Sequence, residues 1–190
     1  MTEPTQRGHK AAFPEARREK FMTNYLRREG DCVHHDPDDP GGETAYGVAQ
    51  KYNPELWDGE TPPSRETALA HVWTKYAACG TDEGIDRYPL PLQELMFDMR
   101  VNPGIGTAEQ ILQQALNRLT PLGANLKVDG IAGIKTMAAV SETMNRCSAR
   151  ALVNMICDFR WQYYLKKIKA NPVKEKYRKI WLKRTNEFRV

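Results

Sequence analysis

Residues 27–48, RREGDCVHHDPDDPGGETAYGV, gather the side chains in this 190-residue chain best suited to acid–base chemistry. Glu29 closes a charged helical segment, and Asp31, Asp36, Asp38 and Asp39 follow it closely. Hydrolysis of a glycosidic bond needs such a pairing. One carboxylic acid protonates the leaving oxygen, and a second carboxylate activates water or attacks the sugar. The acid must stay protonated near neutral pH, which burial and nearby negative charge both promote. Glu29 suits that role, because the carbonyl end of a helix and an acidic loop each favour a neutral carboxyl. Asp36, Asp38 and Asp39 are then candidates for the second group, with Asp31 beside them. Gly41-Gly42 let backbone approach a bulky sugar closely, and Thr44 is placed to orient a water.

Other chemistries fit these residues less well. An EF-hand loop begun at Asp36 finds Asp38 and Gly41 in place but puts Pro40 and Gly47 where two ligands belong, so no metal is expected. His34 and His35 are adjacent, and in an extended segment their side chains point opposite ways, as surface histidines do. Cys32, Cys79, Cys147 and Cys157 show no CxxC spacing, which argues against zinc and redox chemistry. Reduced thiols and no cofactor are expected.

These residues need helices to position them. Pro14 stands where a helix begins, and EARREKFMTNYLRRE puts Phe21, Met22, Tyr25 and Leu26 on one face before Gly30 stops it. Glu29 thus falls in the last turn, where an anion breaks the local rule, a mark of function. Residues 31–50 are too rich in Pro, Gly and Asp for helix. Ser64 followed by Thr67 opens a second helix carrying Leu69, Val72, Trp73 and Tyr76. Leu90–Arg100 is a short apolar helix, and after VNPGIG, Thr107 is expected to cap AEQILQQALNRL. VDGIAG turns the chain into a helix from Lys135. A long helix follows from about Ser148 to Lys169, showing Ile156, Phe159, Tyr163 and Ile168 along one face. Asn171-Pro172 starts the last, with Tyr177, Ile180, Trp181 and Phe188 expected to face inward.

Charge is unevenly spread. Residues 159–190 hold 11 Lys and Arg against Glu175 and Glu187, a local balance of +9 in a chain of +4 overall. Those cations are expected to face outward, toward a polyanion: nucleic acid, an anionic wall or a membrane surface. The start, MTEPTQRGHKAAF, has no apolar core of a secretory signal, and no apolar run reaches the ~18 residues of a membrane span. Synthesis in the cytoplasm is therefore expected, with assisted export for any work outside the membrane.

Taken together, the EG of REGDCV and the loop DPDDPGGETAYGV resemble the signature of glycoside hydrolase family 108, lysozyme-like N-acetylmuramidases of phage endolysins and bacterial cell-wall enzymes. In that family a Glu-Gly-Gly-Tyr run ends the first helix and an Asp-Pro-x-Asp-x-Gly-Gly-x-Thr-x-Tyr-Gly loop follows. The family's catalytic glutamate corresponds to Glu29, and the loop matches at Asp36, Pro37, Asp39, Gly41, Gly42, Thr44, Tyr46 and Gly47. Asp31 and Cys32 stand where the family has its second glycine and tyrosine. FDMRVNPGIGTAEQILQQALN, VDGIAGIKT and the segment from FRWQYYL to NEF are similar to later parts of the family's pattern, the last to a region labelled peptidoglycan-binding.

The resemblance implies a mainly α, lysozyme-like single domain with a short irregular or β-hairpin acidic loop after the first helix. A tail over residues 1–13, a catalytic region over 14–100 and a helical region over 101–190 packed on it are expected. The implied activity is cleavage of the β-1,4 bond between N-acetylmuramic acid and N-acetylglucosamine, with peptidoglycan glycan strands as partner. Glu29 is the general acid, Asp36, Asp38, Asp39 and Thr44 are its candidate helpers, and Asp31, Gly41, Gly42, Tyr46 and Asn102 are candidate substrate contacts. A monomer acting in the periplasm or wall, brought there by a holin or a secretion machine, completes the expectation. Two alternatives stand beside it: a wall-binding protein of the same fold without activity, and a nucleic-acid binder using the basic C-terminal helices. The core-like spacing of the aromatics there and the lack of a nucleic-acid signature argue against the latter, so no nucleic acid is expected.

Overall fold

The computed structural model describes residues 13–35, 43–78, 80–81, 83–120 and 125–190. The chain is mainly helical, with one short sheet after the first helix. It divides into two units, one up to Arg87 and one from Tyr88 onward.

In the first unit, α1 spans Glu15–Glu29 and buries Phe21, Met22, Tyr25 and Leu26, the face expected from their spacing. Phe13 and Phe21 meet Trp73 in an aromatic cluster, at 5.2 and 6.4 Å between centroids. The acidic stretch forms three short antiparallel strands in chain order: β1 (Val33–His35), β2 (Glu43–Ala45) and β3 (Val48–Ala49). Val33 pairs with Ala45, and Ala45 with Val48, so β2 and β3 are joined by the two residues Tyr46 and Gly47. Both have positive φ, 52° and 79°, as a tight hairpin turn requires at its two central positions. Helix α2 (Arg65–Val72) is capped by Ser64, whose hydroxyl accepts from the Thr67 amide. It runs on into a π-helical turn, Trp73–Ala77.

In the second unit, α3 (Leu90–Val101), α4 (Ile105–Leu119), α5 (Ile134–Arg146), α6 (Ala149–Ala170) and α7 (Arg178–Asn186) pack as a bundle, α4 and α7 both lying on α6. Leu92, Leu95, Met96, Leu112, Leu116, Leu152 and Ile156 are fully buried at its centre. Helix α4 begins earlier than expected. Gly104, with a φ of 98°, turns the chain, and its carbonyl accepts from the Ala108 amide, so Thr107 lies inside the helix instead of capping it.

The VDGIAG turn is built around one side chain of α4. Gln113 donates to the Asp129 carboxylate and the Ile131 carbonyl, and accepts from the Gly130 amide. A Cβ on Gly130 would stand 2.8 Å from the Gly106 carbonyl, so this close approach needs glycine.

The last helix is rotated away from its apolar stripe. Pro172–Tyr177 is a 3-10 segment, and α7 follows it. Arg184 and Thr185 are buried, whereas Ile180 and Tyr177, expected inside, are exposed. The cause is Asp98 on α3. Its carboxylate takes Arg184 at 2.9 Å and Arg160 of α6 at 2.7 Å, and that buried triad fixes which side of α7 faces inward. Two of the eleven C-terminal cations are therefore core residues, contrary to the expectation that they all face outward. On α6, Tyr164 occupies the core with Ile156 and Ile168, while Phe159 and Tyr163 are half-buried.

Candidate active site

Glu29 is the last residue of α1 and is half-buried. What holds it is the hairpin tip. The Tyr25 hydroxyl, one turn earlier, donates to the Tyr46 carbonyl at 2.8 Å, and the Tyr46 amide donates to the Cys32 carbonyl at 3.0 Å. Tyr46 thereby sits with φ at 52°, a left-handed conformation that costs an aromatic residue of order 1–3 kcal/mol. Gly47 lies directly against the helix end: a Cβ there would be 2.9 Å from the Glu29 Cβ and 2.2 Å from the Tyr25 hydroxyl.

Thr44 sits in β2 between His34 of β1 and Ala49 of β3, half-buried. Asp36, Asp38, Asp39, Gly41 and Gly42 lie outside the described residues.

Asp31, two residues past Glu29, is bound by Arg65 from the start of α2. The guanidinium donates through Nε at 2.7 Å and Nη2 at 3.1 Å to the two carboxylate oxygens. This bidentate contact holds the exposed Asp31 carboxyl below the usual range. Asp31 is therefore an anion near the helix end with both oxygens engaged.

Tyr76 was not singled out by sequence beyond its place in an apolar stripe. It lies on the π-helical turn, and burial, then the nearby Glu29 carboxylate, push its phenol above the ordinary tyrosine range. The extra residue of a π turn re-aims the side chains that follow, which no periodicity at 3.6 residues foresees.

A second polar group lies in the same unit. The Asn53 amide donates to the Ala49 carbonyl at 3.0 Å, and its oxygen accepts from Lys75 at 2.9 Å and from His71 Nε2 at 3.1 Å. An amide oxygen only accepts, so His71 carries its proton on Nε2. Burial first, then the Lys75 cation, hold the imidazole below its usual range, against the opposing Glu55 carboxylate.

Asn102 belongs to the second unit. Its side-chain oxygen accepts from the Tyr164 hydroxyl at 2.6 Å, and Tyr164 in turn accepts from Arg160 Nε at 3.1 Å. The exposed Asn102 thus ends a polar chain that starts at the buried Asp98 triad.

Among the described residues no three His, Cys, Asp or Glu side chains gather as a metal site would require. Cys32, Cys147 and Cys157 carry free thiols, and burial pushes the Cys157 thiol up to about 11, an unreactive state at neutral pH.

Residues 22–104 match the model of a family described as Glycosyl hydrolase 108, and residues 107–186 match one described as Predicted Peptidoglycan domain. No curated protein matches the chain. Among solved structures, that of Brucella abortus SagA is similar over 92% of both chains, at 21% identity and a TM-score of 0.69. At that identity the likeness speaks for the fold, a mainly α, lysozyme-like one.

Proposed function

Because residues 22–104 of this chain belong to glycosyl hydrolase family 108 and residues 107–186 carry its predicted peptidoglycan domain, we propose that this peptidoglycan hydrolase is an N-acetylmuramidase with Glu29 as its general acid. The observation that carries the assignment is the seat of Glu29: a carboxylate at a helix C-terminus, packed closely against the hairpin tip at Gly47, with its charge felt by the half-buried Tyr76. A fold does not hold a carboxylate at the helix end that repels it, through a left-handed Tyr46, without some return in chemistry.

In this reading Glu29 protonates the glycosidic oxygen between N-acetylmuramic acid and N-acetylglucosamine as the bond breaks. Charge growing at the sugar ring is then met by a second carboxylate, with Asp36, Asp38 and Asp39 as candidates and Thr44 orienting the incoming water. Gly41, Gly42 and Tyr46 are the candidate contacts for the glycan in this reading. Asp31 acts through Arg65, holding the start of α2 against the chain that leaves α1. No cofactor enters these steps. The alternative of a wall-binding protein without activity is separated by one experiment. Glu29→Gln should keep the melting temperature and lower the clearing of purified peptidoglycan by at least the ~10²-fold typical of a lost general acid. A variant that clears at the wild-type rate removes Glu29 from the mechanism.

No described helix is long and apolar enough to cross a membrane. In this reading the substrate lies in the cell wall, with a holin lesion or a secretion machine as the route by which the protein reaches it.

A further inference from the structure

The 3-10 segment Pro172–Tyr177 and helix α7 take no part in the chemistry above, yet their outer surface is unusual. Trp181, Arg184 and Thr185 occupy the inner side of α7, which leaves Val173, Tyr177 and Ile180 in water. Val173 is 72% exposed and Ile180 62%. The segment is firmly held. Tyr177 lies 5.4 Å from Trp181, which stacks at 4.7 Å on the buried Tyr164. An apolar row on an anchored, outward face adds nothing to folding, and such faces mark interaction surfaces.

Lysines surround that row. Lys174, Lys176, Lys179 and Lys183 lie among its members, and none is ion-paired with a described residue. Arg178 already holds Glu175, one of only two acids after residue 158, so the face keeps its positive charge.

We propose that this face docks on an anionic lipid bilayer, the lysines meeting headgroup phosphates while Val173, Tyr177 and Ile180 enter the headgroup boundary. Aliphatic side chains between cations, with an aromatic residue beside them, are what an interfacial helix uses. A purely polyanionic partner, whether nucleic acid or wall polymer, takes up the lysines but leaves the aliphatic row in water. The bilayer accommodates both. This inference does not depend on the muramidase reading, since it concerns a different surface.

The test is co-sedimentation of the full-length protein with phosphatidylglycerol-rich vesicles and with pure phosphatidylcholine vesicles, across a salt series. Wild type should bind the anionic vesicles, less so as salt rises, and bind the neutral ones weakly. The Val173→Glu/Ile180→Glu double variant should keep its melting temperature and lose about tenfold or more in binding to anionic vesicles, because the apolar contribution is gone. Lys176→Gln, Lys179→Gln and Lys183→Gln together should weaken binding and flatten its salt dependence. Should the charged pair unfold the helix, Val173→Ser/Ile180→Ser takes its place. Wild-type binding no better to anionic than to neutral vesicles overturns the proposal. So does a double variant that binds anionic vesicles like wild type, or one that instead loses its hold on purified peptidoglycan sacculi.

Discussion

Gly47 and Glu29 are in contact across the hairpin tip, so closely that one added methyl group on Gly47 would fall 2.9 Å from the Glu29 Cβ. The same methyl would stand 2.2 Å from the Tyr25 hydroxyl, which holds the tip down by donating to the Tyr46 carbonyl. Gly47 therefore sets how far the sheet can approach the end of α1, and with it the position of the proposed acid.

Gly47→Ala should be costly on two counts. Its φ of 79° disfavours any side chain, and the methyl must push apart the helix end and the tip. A stability loss of about 1–3 kcal/mol is expected from overpacking alone. Peptidoglycan clearing should fall by roughly 10²-fold, as displacements near 1 Å do to catalytic geometry. Thermal melting and a turbidity assay on the folded fraction check the two effects separately. Full activity in a folded variant would mean that the tip does not position Glu29.

The aspartates of the loop are best compared one at a time. Asp36→Asn, Asp38→Asn and Asp39→Asn remove a charge with little change of shape. If one of them supplies the second carboxylate, its variant should lose far more activity than the other two. Three equal and mild losses would leave the loop without a catalytic carboxylate and would turn attention to Asp31.

His71 gives a pH prediction. Its folded imidazole titrates below the ~6.5 of an unfolded chain, because burial and the Lys75 cation disfavour its charge. Between the two values the unfolded chain binds more protons, so this contribution is complete above about pH 6.5 and is lost as pH falls from there toward the folded value. A proton NMR titration should find His71 below its usual range. In Lys75→Met it should rise only part of the way back, since burial is the larger cause. A wild-type His71 titrating at the free value would remove the argument.

What the sequence made legible follows from how local each signal is. The face of α1, the Ser64 cap and the extent of α6 rest on neighbours a few residues apart, and they stand where spacing put them. Glu29 was singled out because its own helix ought to reject it. Other features are set by partners far along the chain. Arg65 reaches Asp31 across 34 positions, and Arg184 reaches Asp98 across 86. Each of these charges reads as surface decoration on its own. The π turn that carries Tyr76 leaves no mark in composition. The phase of α7 is set by its buried partner, a carboxylate on α3 far back along the chain, and not by its own apolar residues.

That carboxylate supplies the last prediction. Asp98 is buried on α3, within the glycosyl hydrolase match, whereas Arg160 and Arg184 lie within the predicted peptidoglycan domain. The triad ties residues of both matches into the core of the second unit. Asp98→Ala would leave two buried guanidinium groups without their anion, an effect of about 3–5 kcal/mol. At roughly 2–4 °C per kcal/mol for a chain of this size, melting should fall by about 6–20 °C. Replacing all three with apolar residues, Asp98→Leu, Arg160→Met and Arg184→Leu, removes the desolvated charges together and should restore most of that loss. A chain cut after residue 104 should fare worse than Asp98→Ala. It loses the partners of Asp98 and bares the buried sides of Leu92, Leu95, Met96 and Met99. Soluble, cooperatively melting protein from that truncation would show that α3 does not need the helices that follow it.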